Sequence, residues 1–193
     1  MELPPEKKIV RKISDNEVLV YRKDSKGPVS VENFKIVEQL ISGLRSGDGE
    51  TVATRGNYRV EQFDSLMYKN AYRVLIKGFP YFVKVEKVGL IDDNLGGYGE
   101  FNSMVEAKEV LKKYGDRVKV VEPILAHEHG GVKYYAAEWI DDLEIKSYSE
   151  LDAFGQSVVD TLVESGFSDV AQGSIGYSHG QLIVFDVTLQ LSS

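Results

Sequence analysis

Between residues 58 and 140, five strand-like runs are interrupted by a single stretch of helical periodicity, and that order constrains the fold more than any other feature of the chain. The runs are YRVEQFD, AYRVLIKG and YFVKVEKV before the helix, then VKVVEPILAHE and VKYYAAEWI after it. β-Branched and aromatic residues at alternating positions, bounded by Gly, Pro and Asn, favour pleated strands of this length. Gly78-Phe79-Pro80 and His129-Gly130-Gly131 supply turns between neighbours, so the pairing is expected to be antiparallel. A glycine-rich loop, GLIDDNLGGYGEF (89–101), leads into a helix expected over 102–114, with Met104, Val105, Val110 and Leu111 as its apolar stripe. The reading is an α+β fold: an antiparallel five-stranded sheet with one packed helix.

The flanks divide the chain. KKIVRKISDNEVLVYR (7–22) alternates around Ser14-Asp15-Asn16 as a β-hairpin does. In SVENFKIVEQLISGLRSG, Ser30 is a candidate N-cap, and Val31, Phe34, Val37, Leu40, Ile41 and Leu44 recur at helical spacing. The polar stretch SGDGETVATRGN then marks a boundary, giving an N-terminal hairpin–helix appendage over 1–50 and an α+β region over 51–140. The remainder, 141–193, reads as a mainly helical C-terminal part. Its helix is expected over 148–165, and it ends in a hairpin turning at His179-Gly180.

Charge and composition narrow the function. No apolar run approaches the roughly 18 residues needed to cross a bilayer, and MELPPEKKIVRKI holds no stretch suited to a secretory signal. The chain has no cysteine, which excludes disulfides and thiolate metal sites and makes a cytoplasmic setting the expectation. Residues 138–193 carry one cation, Lys146, against ten carboxylates. Such a segment repels phosphate backbones, arguing against nucleic acid, and would suit a basic protein partner or simply a solvated surface.

Three strands, a helix and two strands running into a short acidic hinge is also the order of a protein-kinase small lobe, and the residues resemble that family. Lys84 in YFVKVEK is similar to the lysine of Val-Ala-Ile-Lys. NSMVEAKEVLKKY resembles the helix whose glutamate pairs with that lysine. Glu106 matches that glutamate, with Glu109 as the alternate. AAEWID (136–141) resembles the hinge, with Glu138 and Ile140 beside the adenine. GFSDVAQGSIGYSHGQLIVFDV resembles the catalytic loop and the strand ending in the metal-binding aspartate. Asp169 matches the catalytic aspartate, Asp186 the metal aspartate, and Ser174 stands where the metal-binding asparagine belongs. The resemblance implies a kinase small-lobe-like sheet, ATP and Mg2+ as ligands, and an ATP-dependent phosphotransferase if the chain is an enzyme at all.

Several departures imply a degenerate, C-terminally truncated member with weak or no transfer. QFDSLMYKN (62–70), at the phosphate-covering loop, has no glycine, Asp186 is followed by Val187-Thr188, and the chain stops seven residues after Asp186. Blander readings stand beside each residue. Phe82, Lys84 and Glu86 share one strand face, which solvent could cover. Glu106 fits an ordinary surface helix, and Phe-Ser-Asp before Val170 fits a turn. Asp186, closing the apolar run Leu182–Phe185, is harder to explain away, since a carboxylate there needs a partner. His127 and His129 lack a third metal ligand at suitable spacing. The alternative function is a non-catalytic protein-interaction module with an acidic docking surface.

Overall fold

The structure, a computed structural model, describes residues 8–14, 17–22, 30–47, 49–63, 71–87, 97–129, 131–170 and 172–189. The first hairpin is β1 (Lys8–Ser14) and β2 (Glu17–Arg22), and it is followed by helix α1 (Val31–Ser46). Then come β3 (Val52–Arg55), β4 (Tyr58–Gln62), β5 (Ala71–Ile76), β6 (Phe79–Lys87) and helix α2 (Gly97–Leu111). Next are β7 (Val118–Val120), β8 (Pro123–His129), β9 (Val132–Glu138), β10 (Glu144–Ser147) and helix α3 (Ala153–Glu164). The last elements are β11 (Phe167–Ser168), β12 (Gln172–Ser178), β13 (Gln181–Val184) and β14 (Thr188–Leu189).

The fold is α+β and its main sheet is antiparallel, as expected, but the sheet is larger. Eight strands run in the order β1-β2-β8-β9-β6-β5-β4-β3. The five strands from 58–138 form its middle. The N-terminal hairpin extends it through β2 on β8, and β3 adds the opposite edge. The C-terminal part also departs from the sequence reading of a mainly helical segment. It holds one 12-residue helix, with β10, β12 and β13 joining β7 in a four-stranded sheet. The hairpin expected to turn at His179-Gly180 is present as β12 and β13, and β10 and β7 widen it into the sheet.

VKVVEPILAHE, read as one strand, is two. β7 pairs in parallel with β13, whereas β8 pairs with β9 in the large sheet. The change of sheet falls at Val121-Glu122. Val121 N–H donates to the Val184 carbonyl at 2.9 Å, and Pro123, which has no N–H to give, enters β8 at a register shift.

Strand alternation sends side chains to two cores. Tyr81, Val83 and Val85 of β6, with Tyr134 and Ala136 of β9, meet Phe34, Val37, Ile41 and Leu44 of α1. Ser30 caps that helix by accepting from Asn33 N–H at 3.1 Å. The opposite face, with Tyr135 and Ala137, meets Phe101, Met104 and Leu111 of α2, and beyond them α3 and the smaller sheet. No helix among the described residues is long and apolar enough to cross a membrane.

Candidate functional site: a lysine between two carboxylates beside an apolar slot

Phe82 and Lys84 occupy the β6 face that looks toward α2, not the face that α1 covers. Phe82 packs at the margin of the second core, and the Lys84 side chain is 25% exposed. The face read as solvent-covered is therefore the floor of a cleft. Lys84 Nζ lies 3.3 Å from Glu100 Oε2 and 3.7 Å from Asp186 Oδ2. Of the sequence-proposed residues, Lys84 and Asp186 come together.

The carboxylate that reaches Lys84 from the helix is Glu100, six residues before Glu106. Six residues turn an α-helix by about 600°, which places Glu106 about 120° around the axis from Glu100 and roughly 9 Å along it. Glu106 is half-buried and has contacts of its own, and Glu109 lies 4.0 Å from Lys112. The pairing expected of Glu106 thus belongs to Glu100. The reason is the helix start. Gly96, Gly97 and Gly99 argued for loop, since glycine weakens helices, yet the helix begins at Gly97 and buries Glu100 and Phe101.

α2 locates both carboxylates. One turn beyond Glu100, Ser103 donates its hydroxyl to the Gly99 carbonyl at 2.8 Å and accepts from Leu189 N–H at 2.9 Å. That bond fastens β14, which starts two residues after Asp186, to the same face of the helix that carries Glu100. From the other side, Phe185 N–H donates to the Ser174 carbonyl at 3.0 Å. Asp186 is therefore held between α2 and β12 while its side chain stays one-third exposed.

Tyr135 completes the cluster. It is the direct cross-strand partner of Lys84, so the two side chains rise from the same face as neighbours. Its ring is buried, and its hydroxyl has no hydrogen-bond partner among the described residues. Burial raises the phenol well above its ordinary value, and the negative charges of Glu100, Asp186 and Glu138 raise it further. The hydroxyl is a neutral, buried donor in a negatively charged setting.

Beside this cluster lies an apolar slot of about 420 Å³. Phe63, Phe82, Trp139, Ile140, Leu143 and Phe185 line it, with Glu138 at its edge. Glu138 and Ile140 thus lie together on one wall. Phe82 lies on the same strand face as Lys84 and Phe185 precedes Asp186 in the chain, so the slot and the charged cluster are built on the same two segments. Trp139 stacks on Phe63 with ring centroids 5.2 Å apart and planes within 4° of parallel. Its indole N–H donates to Asp141 Oδ1 at 2.9 Å, and the Arg73 guanidinium lies 5.2 Å from its ring. Trp139 and Ile140 leave the strand after Glu138, which frees backbone groups from the ladder at the slot's wall. The Glu138 carboxylate lies 2.9 Å from Lys119 Nζ.

Asp169 and Ser174 engage each other rather than the lysine. Ser174 is buried and donates its hydroxyl to the Asp169 carbonyl at 2.8 Å. Asp169 is exposed and holds a left-handed backbone with φ of 60°. Asp tolerates that conformation better than most residues, as turns require. Among the described residues, no three or more His, Asp or Glu side chains gather as a metal site would need. The stretch read as the phosphate-covering loop (62–70) lies beyond Phe63 outside the described residues, as does most of 89–101. His127, considered as a metal ligand, is buried, and its Nδ1 meets Glu38 of α1.

Sequence reasoning missed Glu100, which lay in a presumed loop, and Phe185, which looked like one more apolar strand residue. Tyr135 lies in the run VKYYAAEWI, which was read as a strand. Its register opposite Lys84 was the available signal.

No family profile matches the chain, and no curated protein sequence matches it. Among solved structures, the crystal structure of the BubR1 kinase domain is similar at 14% identity with a TM-score of 0.42. The match covers 83% of this chain and 60% of that one, so the chain spans about three-fifths of that kinase domain's length.

Proposed function

We propose that the cleft binds a purine nucleoside phosphate, ATP being the form to test, in a kinase-like manner and with weak or no phosphoryl transfer. The observation that carries this reading is the junction of two environments. An aromatic slot with room for a planar base is lined by Phe82 and Phe185, neighbours in the chain of a lysine held between two carboxylates and of one of those carboxylates. Lys84 would meet the phosphates from its place beside Glu100 and Asp186. Asp186, one-third exposed at the mouth, would hold Mg2+, an ion commonly bound through one or two carboxylates with the substrate's own phosphates completing its shell. The metal would offset phosphate charge. Phe82, Trp139 and Phe185 would cover the base and keep water from it. Affinity is expected in the tens of micromolar or weaker, about −6 kcal/mol, because the sequence 62–70 holds no glycine with which to bring backbone amides onto the phosphates.

The test is calorimetric titration with ATP–Mg2+ and with adenosine. Lys84→Met should weaken ATP about tenfold or more, as loss of a hydrogen bond to a charged group does, and leave adenosine unchanged. Wild-type protein giving neither heat nor a thermal shift at millimolar ATP would overturn the reading.

A further inference from the structure

We propose that Tyr135 is a positioning residue that selects phosphate-bearing ligands, its hydroxyl taking over the buried Glu100 carboxylate when Lys84 turns toward a bound phosphate. The inference rests on the nucleotide reading above and adds to it a residue and a basis for discrimination.

Glu100 is almost fully buried on α2, and Lys84 Nζ is 3.3 Å from it. Lys84 is also within 3.7 Å of Asp186, so its ammonium already divides itself between two anions. A phosphate arriving in the cleft is a third anion competing for the same ammonium. Drawing Lys84 outward thins the compensation of a carboxylate that cannot turn to water, and a buried charge without compensation is costly. A buried donor nearby would take up part of the difference. Tyr135 stands opposite Lys84 in the β6–β9 register and on the same sheet face. Its hydroxyl is buried, without a partner among the described residues, and Glu100 is the foremost of the charges acting on it. An unmade hydrogen bond of this kind is a penalty carried by the free protein, and making it is a gain reserved for the bound one. Buried donors are nearly always satisfied, which makes this one a sign of a second arrangement of the cleft.

The discrimination follows from which ligand moves Lys84. Adenosine fills the slot without pulling on the ammonium, so the phenol contributes nothing to its binding. ADP and ATP pull, and for them the phenol contributes.

Tyr135→Phe removes one oxygen and keeps the ring that packs against α2. The experiment measures thermal stability of the free protein and calorimetric affinity for adenosine, ADP and ATP–Mg2+. The expected result is unchanged or slightly higher stability, unchanged adenosine affinity, and roughly tenfold weaker ADP and ATP binding. Equal ADP and ATP affinities in wild type and variant would overturn the proposal while leaving the nucleotide reading intact. A parallel loss for adenosine would overturn it too, since it would show Tyr135 shaping the slot rather than answering the phosphate. Wild-type protein that binds none of the three removes both readings together.

Discussion

Replacing Glu100 by Gln separates the pairing the sequence suggested from the pairing the fold makes. The exchange keeps shape and removes charge from a side chain only 6% exposed, leaving Lys84 without its nearer carboxylate. Breaking a fully buried ion pair costs about 3–5 kcal/mol. Lys84 is a quarter exposed and retains Asp186 at 3.7 Å, so water and the second carboxylate recover part of that. About 1–2 kcal/mol remains as the expected loss. For a chain of this length each kcal/mol shifts the melting temperature by about 2–4 °C, so Glu100→Gln should melt roughly 3–6 °C lower. Glu106, on a different face of the helix, has contacts of its own, so the cost of Glu106→Gln alone does not report on Lys84 and only its coupling to Lys84 does. A double-mutant cycle with Lys84→Met, read by urea denaturation, makes the comparison independent of helix propensity. Coupling of about 1 kcal/mol is expected between Lys84 and Glu100 and almost none between Lys84 and Glu106. A larger coupling to Glu106 would refute the assignment.

Two further expectations concern the C-terminal part. A Cβ on Gly176 would press far inside van der Waals contact with the Glu144 carbonyl oxygen and lie 2.9 Å from its carbon, so Gly176→Ala should displace β10 from β12. Overpacking of this kind costs about 1–3 kcal/mol, read as a melting temperature several degrees lower, and an alanine variant as stable as wild type would count against the register. Asp152 caps α3 by accepting from Gly155 N–H at 2.7 Å, with Tyr177 hydroxyl donating to the same oxygen at 2.8 Å. These bonds, the backbone one foremost, hold its carboxyl below the ordinary 3.8. Its contribution is therefore complete above that value and disappears as pH falls through the lowered one, so Asp152→Asn should flatten the acid limb of the stability–pH curve. An unaltered acid limb would refute the linkage.

How much could be seen in advance varied with the physics of each segment. The strands at 71–76 and 79–87 announced themselves because one face packs on α1 and alternation survives in the sequence, whereas 132–138, buried on both faces, was legible from its β-forming residues and the turn before it. The sheet's true width did not. β1 and β2 read as a separate hairpin because pairing through backbone hydrogen bonds, as β2 makes with β8, leaves no trace in side-chain pattern. Lys84 and Asp186 were legible as a charge mid-strand and a charge closing an apolar run. Glu100 was not, because local glycine content outweighed a tertiary contact that pays for the helix start. Local propensity was overridden at the very position where the cleft needs its carboxylate, and such conflicts concentrate at functional sites.

The geometry also bears on how the two functional readings relate. Asp141 accepts from the Trp139 indole, and Asp142, on the same turn, lines the slot while remaining 84% exposed. The exposed acids that a basic partner would meet first are thus fastened to the aromatic wall that would cover a base. A cationic partner drawn to this turn by its charge would bear on Trp139, and a base seated against Trp139 would alter the turn. Docking and nucleotide binding would then be linked by one coupling free energy, each altering the other by the same factor. Phosphoryl transfer gains no comparable support. The Ser174 hydroxyl donates to the Asp169 main-chain carbonyl, so the serine at the expected metal-binding position holds the chain's path between β11 and β12, and the Asp169 carboxylate takes no part in that bond.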